Sequence, residues 1–209
     1  MEKKTKLRNW LDGHRYGLWL LYIPAYLVVF GILELFPAKE FHLIQCPIDA
    51  LIPTIPAFFI PYAFWWGLFP GALLWFLVFG KREDFLKICF ILFAGYTVCL
   101  ITYVLYPNGI DIRTELLGND LCSQAIRLLR AGDPPQNVCP SMHVSSTMAI
   151  LLTVWECRDI SKGWKCGVAV ISLLIILATM FIKQHSVVDV LLGMLLSLVL
   201  WEIWKFLRR

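Results

Sequence analysis

The chain has 209 residues, 59% of them apolar and 16% charged, where an ordinary soluble domain has about 45–50% and about 25%. With 14 Phe, 9 Trp and a mean hydropathy of +0.69, this composition excludes a soluble globule, a disordered chain and a disulfide scaffold, and predicts one all-α domain over residues 1–209 with a bilayer as its solvent. A net charge of +4 is too small for the global basic field that a nucleic-acid partner would need.

Apolar runs of about 20 residues, the length that spans a hydrocarbon core, predict six crossings, at 17–36, 58–79, 85–106, 141–157, 164–182 and 187–204. The first follows a basic stretch but exceeds the usual signal-peptide core and has no small-residue cleavage site behind it, so it is expected to be retained. Pro24, Pro61 and Pro70 fall in or near the first two runs, where a packed bundle tolerates kinks. Residues 37–57, with Pro47, Pro53 and Pro56, read as an ordered outer loop or a re-entrant turn. The run at 141–157 is the shortest and has a polar start, but the charges sort only if it crosses. The inner segments then hold fourteen Lys and Arg, and the outer segments hold five: Lys39, Arg113, Arg127, Arg130 and Lys183. The positive-inside rule therefore predicts a six-span helical bundle with both termini cytoplasmic and residues 107–140 outside. Within that loop the amphipathic stretch 115–131 is expected to rest Arg127 and Arg130 on lipid headgroups. The seven cysteines show no framework spacing and no C-x-x-C motif; a Cys122–Cys139 bridge is conceivable, and unpaired thiols are the simpler reading.

Two of the four histidines, His143 and His185, open the fourth and sixth runs. They are 42 positions apart, about one crossing in and one back, so the topology returns both to the same outer depth. Asp189, four positions after His185, shares its helical face. A carboxylate there accepts a hydrogen bond from one ring N–H, fixing the tautomer that leaves the other nitrogen with a lone pair, which prepares a nucleophile or base. The alternative is an interfacial His and Asp that merely pair, although charges inside spans are costly and usually functional. Before His143 stands Cys139-Pro140-Ser141-Met142, with Pro140 suited to a helix start and free N–H groups that attract an anion. Ser141 adds a hydroxyl, though a capping role alone is common. Arg113 and Lys183 flank the histidines in sequence, and cations converging on helix N-termini suit a phosphate. Arg113 could equally pair with Asp111 or Glu115 in a solvated loop.

Pro140-Ser141-Met142-His143, His185-Ser186-Val187-Val188-Asp189 and the stretch Tyr106 to Arg113 resemble the motifs of the phosphatidic acid phosphatase type 2 superfamily of membrane phosphoesterases. The first is close to that family's Pro-Ser-Gly-His and the second matches its His-x-x-x-Asp. The resemblance implies that His185 attacks phosphorus and becomes a phosphohistidine, Asp189 orients it, and His143 protonates the leaving oxygen. It also implies that Arg113 and Ser141 hold phosphoryl oxygens and that no metal or other cofactor takes part. Tyr106 stands where the family has lysine, Thr114 where it has proline, and Ala178-Thr179 where it has a serine-arginine pair. Lys183, four after Thr179, shares its face if the helix continues and could restore one missing cation. Such losses resemble the branch that includes inositol phosphorylceramide synthase and sphingomyelin synthase.

The sequence is thus expected to encode a multi-pass membrane enzyme, its active site on the extracytoplasmic face. It would hydrolyse a phosphate ester or anhydride of a lipid, of the phosphatidic acid or isoprenyl diphosphate type, with no obligate protein partner. Three alternatives stay open: a lipid phosphotransferase that passes a phospho-headgroup to a second lipid; a metal-dependent hydrolase using His143, His185 and Asp189 as ligands; and a non-enzymatic transporter or structural protein whose histidines relay protons.

Overall fold

A computed structural model describes residues 13–209; Lys3, Lys4, Lys6 and Arg8, counted above among the inner cations, lie outside the described residues. The chain is mostly helical. Helix α1 (Tyr22–Leu35) continues a 3-10 segment at Arg15–Leu21, and is followed by the short α2 (Pro47–Leu51), α3 (Phe59–Val78) and α4 (Arg82–Leu105). Then come α5 (Leu121–Gly132), α6 (Met142–Glu156), α7 (Lys162–Phe181) and α8 (Val187–Leu207). The long helices end within three residues of the apolar runs. Where they extend further they take in charged residues such as Arg82, Glu83 and Asp84, because hydropathy marks the part of a helix in hydrocarbon and not the part among headgroups.

Among the described residues, five helices are long and apolar enough to cross a membrane, so the protein is membrane-embedded. The exception is α6. Its 15 residues rise roughly 22 Å at 1.5 Å each, short of a hydrocarbon core of about 30 Å. Yet α6 is the centre of the fold, packed against α3, α4, α7 and α8 and buried without a break from Val144 to Ile150. Its low hydropathy comes from hydroxyls that are satisfied inside the bundle. Ser145 Oγ pairs with Ser197 Oγ of α8 at 2.8 Å, and Thr147 and Thr153 donate to the carbonyls of His143 and Ala149 at 2.6 and 2.8 Å. Below these, Leu73, Phe76, Phe85, Ile88, Leu92 and Ile150 form the main apolar core. Leu27, Leu74, Leu105 and Leu191 face outward and are exposed, as side chains solvated by lipid are.

Three segments are sewn together at one end of the bundle. The strands β1 (His42–Leu43) and β2 (Asn108–Gly109) pair in parallel, His42 opposite Asn108 and Leu43 opposite Gly109. The buried Asn108 amide donates to the Tyr106 and Cys139 carbonyls and accepts from the Val138 and Cys139 N–H groups. The segment 37–57 is thus an ordered loop carrying α2. The expected amphipathic helix forms as α5, and its arginines bind carbonyls of the chain itself. Arg127 donates to the carbonyls of Leu116 and Gly118, and Arg130 to those of Thr114 and Ile182. Folding back the loop leaves carbonyls unpaired by any ladder, and a guanidinium with five donors is the side chain best able to collect them. All seven cysteines are free thiols.

Helix α8 meets the start of α6 at Gly193, where an added Cβ would lie 2.7 Å from the Ser141 carbonyl oxygen. We expect Gly193→Ala to destabilise the protein by about 1–3 kcal/mol through overpacking. Gly71→Ala in α3, with nothing within 4 Å, should be neutral or mildly stabilising because alanine favours the helix by up to about 1 kcal/mol. Thermal unfolding in detergent separates them, and equal melting temperatures for the two variants would refute the close approach.

Candidate active site

Two helix N-termini meet here, and each is capped by its own serine. Ser141 Oγ accepts from Val144 N–H at 3.3 Å, and Ser186 Oγ accepts from Val188 N–H at 3.1 Å. The Ser141 N–H donates across to the Asp189 carbonyl at 3.1 Å, which fixes the offset between α6 and α8. His143 and Asp189, both in first turns, and His185, one residue ahead of its cap, then converge. His185 Nδ1 lies 2.9 Å from Asp189 Oδ2, His185 Nε2 lies 3.3 Å from His143 Nδ1, and His143 Nε2 lies 3.0 Å from the Tyr62 hydroxyl on α3.

This row of four side chains has a direction. An ionised Asp189 draws the His185 proton onto Nδ1, so Nε2 holds a lone pair. With both rings neutral, that lone pair accepts from His143 Nδ1–H, and His143 Nε2 accepts from Tyr62; these proton positions are assigned from the hydrogen bonding. Asp189 is fully buried and His185 is 7% exposed, so the carboxylate acts on the ring with little competition from water. Aromatic packing fixes His143 further, its ring centroid lying 4.4 Å from that of Trp65 and 5.2 Å from that of Tyr62.

Both histidines face a cavity of about 280 Å³ whose wall includes Tyr26 and Phe30 of α1, Tyr62 and Trp66 of α3, and Arg113. Arg113 pairs with neither Asp111 nor Glu115. Its Nη1 donates to the Asp133 carbonyl at 2.7 Å and its Nη2 to Gln184 Oε1 at 2.5 Å, with the Asp133 carboxylate 3.7 Å away. Burial lowers the guanidinium's pKa while Asp133 opposes that shift; burial likewise raises the Asp133 carboxyl, restrained by Arg113. Arg113 Nε and Gln184 Nε2 are buried N–H donors with no partner. Unmet donors of this kind at a cavity wall suit an anionic oxygen.

Two expected phosphate ligands stand elsewhere. Ser141 is fully buried behind the cavity, its oxygen used as a cap. Lys183 does not continue the helical face of Thr179, because α7 ends at Phe181 and Lys183 itself turns to φ 57°. Its ammonium is 2.5 Å from the Asp49 carbonyl oxygen, and burial lowers its pKa, with Asp49 opposing that shift. The structure therefore brings His143, His185, Asp189 and Arg113 together and leaves Ser141 and Lys183 as supports. Among the described residues no group of three or more His, Cys, Asp or Glu is arranged to hold a metal ion.

Sequence reasoning missed Tyr62, Gln184 and Asp49. Nothing marks Tyr62 among the aromatic residues of its run. Gln184 is a polar residue beside a singled-out histidine, a signal that was there to be read. Asp49 shares the proline-rich loop 37–57 with one other acid, Glu40, and stands three residues after the N-cap of α2. Its buried carboxylate accepts from Cys46 N–H at 2.7 Å, Ser186 Oγ at 2.8 Å and Val187 N–H at 2.8 Å, tying the loop 37–57 to the start of α8. A scan against protein-family models finds no match to this chain, and a search of curated proteins finds none either.

Burial alone would raise the Asp49 carboxyl, but these hydrogen bonds outweigh it and hold the carboxyl below its ordinary value. Removing it in Asp49→Ala strands buried donors and should cost roughly 1–3 kcal/mol, with partial recovery in Asp49→Asn. Because the folded pKa lies below the unfolded one, the stabilisation is fully present above about pH 4 and is lost as pH falls through the folded value. Melting curves at pH 7 and pH 3 should show the gap between wild type and Asp49→Ala narrowing in acid; a constant gap would contradict the assignment.

Proposed function

We propose that the protein is a membrane phosphoesterase of the phosphatidic acid phosphatase type 2 kind, cleaving a phosphate ester or anhydride of a lipid through a phosphohistidine. The reading includes six crossings, with α6 as the fourth, both termini in the cytoplasm, and the cavity on the extracytoplasmic side. The observation that carries it is the row Asp189–His185–His143, with contacts of 2.9 and 3.3 Å, at the wall of a cavity shared with Arg113. A relay or structural pair would not need unpartnered N–H donors beside it, whereas a phosphoryl group uses them.

In this reading the phosphoryl group enters between the two imidazoles. His185 Nε2 forms a bond to phosphorus as the ester P–O bond breaks, while the proton stays on His185 Nδ1, hydrogen-bonded to Asp189. His143 in its protonated form gives its Nδ1 proton to the leaving oxygen and keeps its Nε2 proton toward Tyr62, whose hydroxyl both accepts and donates. Neutral His143 then takes a proton from water as the water oxygen attacks phosphorus and the P–N bond breaks. Arg113 and Gln184 Nε2 hold the equatorial oxygens, and such positioning with electrostatic stabilisation carries most of phosphoryl transfer. A pocket for a whole drug-sized ligand occupies about 300–1,000 Å³, so about 280 Å³ suits a headgroup, with the lipid tail lying between α1 and α3.

Turnover should vanish in His185→Ala, together with acid-labile phosphate trapped on the protein during reaction with a lipid phosphate. Retention of more than about a tenth of wild-type activity, beyond what loss of a nucleophile or base permits, would sink the assignment.

Sidedness has its own test. In a variant with Cys46, Cys122 and Cys139 replaced, a cysteine at the exposed Asn119 should react with a membrane-impermeant maleimide in intact cells, and one at the exposed Ser161 should not. The opposite labelling would put the cavity on the cytoplasmic side.

A further inference from the structure

The cavity's charge balance is wrong for a bare phosphate monoester. Two carboxylates, Glu34 and Asp133, share its wall with a single guanidinium, Arg113. Glu34 ends the inward face of α1. Tyr26 and Phe30 precede it at successive four-residue steps, so the three side chains form one stripe, and the Tyr26 and Phe30 rings stack at 5.8 Å. Glu34 Oε1 accepts from Asn137 Nδ2 at 2.8 Å, while its Oε2 is buried and has no partner. Asp133 lies 3.7 Å from Arg113 and keeps 38% of its side chain open. A dianion placed here would face Glu34 and Asp133 against only Arg113 and the protonated His143, and would leave the cavity with a net negative charge. Gln184, only 2% exposed and with its amide nitrogen unpartnered, nevertheless offers a donor to an anionic oxygen at the same wall.

We infer that the ligand is zwitterionic: a lipid phosphodiester whose headgroup carries an ammonium group, the phosphoryl oxygens on Gln184 and Arg113 and the cation between Glu34, Asp133 and the aromatic stripe. This rests on the reading of the cavity as a phosphoryl site and narrows it to one substrate class. The orphaned Glu34 oxygen gains a counter-charge, the cavity with its ligand approaches neutrality, and aromatic rings supply the faces that attract alkylated ammonium groups. A phosphodiester also carries one negative charge where a monoester carries up to two, and with its ammonium it adds no net charge to a cavity where Arg113 and the protonated His143 offset the two carboxylates.

Binding tests this apart from turnover. Dissociation constants for dihexanoyl phosphatidylcholine, phosphatidylglycerol and phosphatidic acid are measured by calorimetry on the His185→Ala protein in detergent, with a chelator present so that no divalent ion bridges the carboxylates. The choline lipid should bind about tenfold more tightly than either of the others, the increment expected of a desolvated cation on carboxylates and aromatic faces. The glycerol lipid isolates the ammonium, since both are diesters. Glu34→Gln and Asp133→Asn should each cut the preference to less than about threefold and improve phosphatidic acid binding. No binding of the choline lipid, equal binding of the glycerol lipid, or a preference that survives both substitutions overturns the inference. If wild type cleaves phosphatidic acid in a His185-dependent manner but shows no choline preference, the substrate class fails and the phosphoesterase stands. If the choline preference holds but no lipid ester is cleaved, the phosphoesterase reading fails instead.

Discussion

One backbone hydrogen bond, Ser141 N–H to the Asp189 carbonyl at 3.1 Å, sets the relative height of α6 and α8, and everything at the candidate site inherits that height. Move either helix by one residue, about 1.5 Å, and the 3.3 Å contact between His185 Nε2 and His143 Nδ1 is lost. The bond is possible because Gly193 lets the α8 backbone lie against the Ser141 carbonyl, and because the Ser145–Ser197 pair holds the same two helices one turn further in. A satisfied polar contact in a membrane interior is hard to exchange for another, since lipid offers no replacement partner. Registry is therefore maintained by hydroxyls and amides where apolar packing would permit sliding.

Much of this could be read from the sequence, for a definite reason. Bilayer solvation imposes a length and composition on each long helix, so the apolar runs located the helices. The His185–Asp189 pair was visible because it is local, four residues apart on one face. Tyr62 and Asp49 were not, because their partners lie 81 and 138 residues away and no periodicity encodes contacts of that span. Lys183 shows the opposite error, in which a local rule was carried past the point where it applies. The i to i+4 argument needs a helix, and α7 stops at Phe181. The run at 141–157 looked weakest by hydropathy because that index counts hydroxyls as if they faced water, while those of α6 bond within the bundle.

The same contrast separates α1 from its neighbours. It is the least buried of the long helices, whereas half of the α4 window is inside the protein. What α1 brings inward is confined to one stripe, ending in Glu34. A helix that loosely packed can flank an opening, and its stripe walls the cavity while its remaining side chains face lipid.

The stitched loops have a kinetic consequence. Strand β1 joined to β2, Asn108 joined to the Cys139 stretch, and Asp49 joined to Ser186 make a cover over the histidines, and in the proposed reading a lipid enters through the side of the bundle. A ligand taking that way is supplied by diffusion in two dimensions. Its effective concentration is a mole fraction among lipids and not a molarity in water. Saturation would then follow the dilution of substrate among inert lipids at fixed bulk amount.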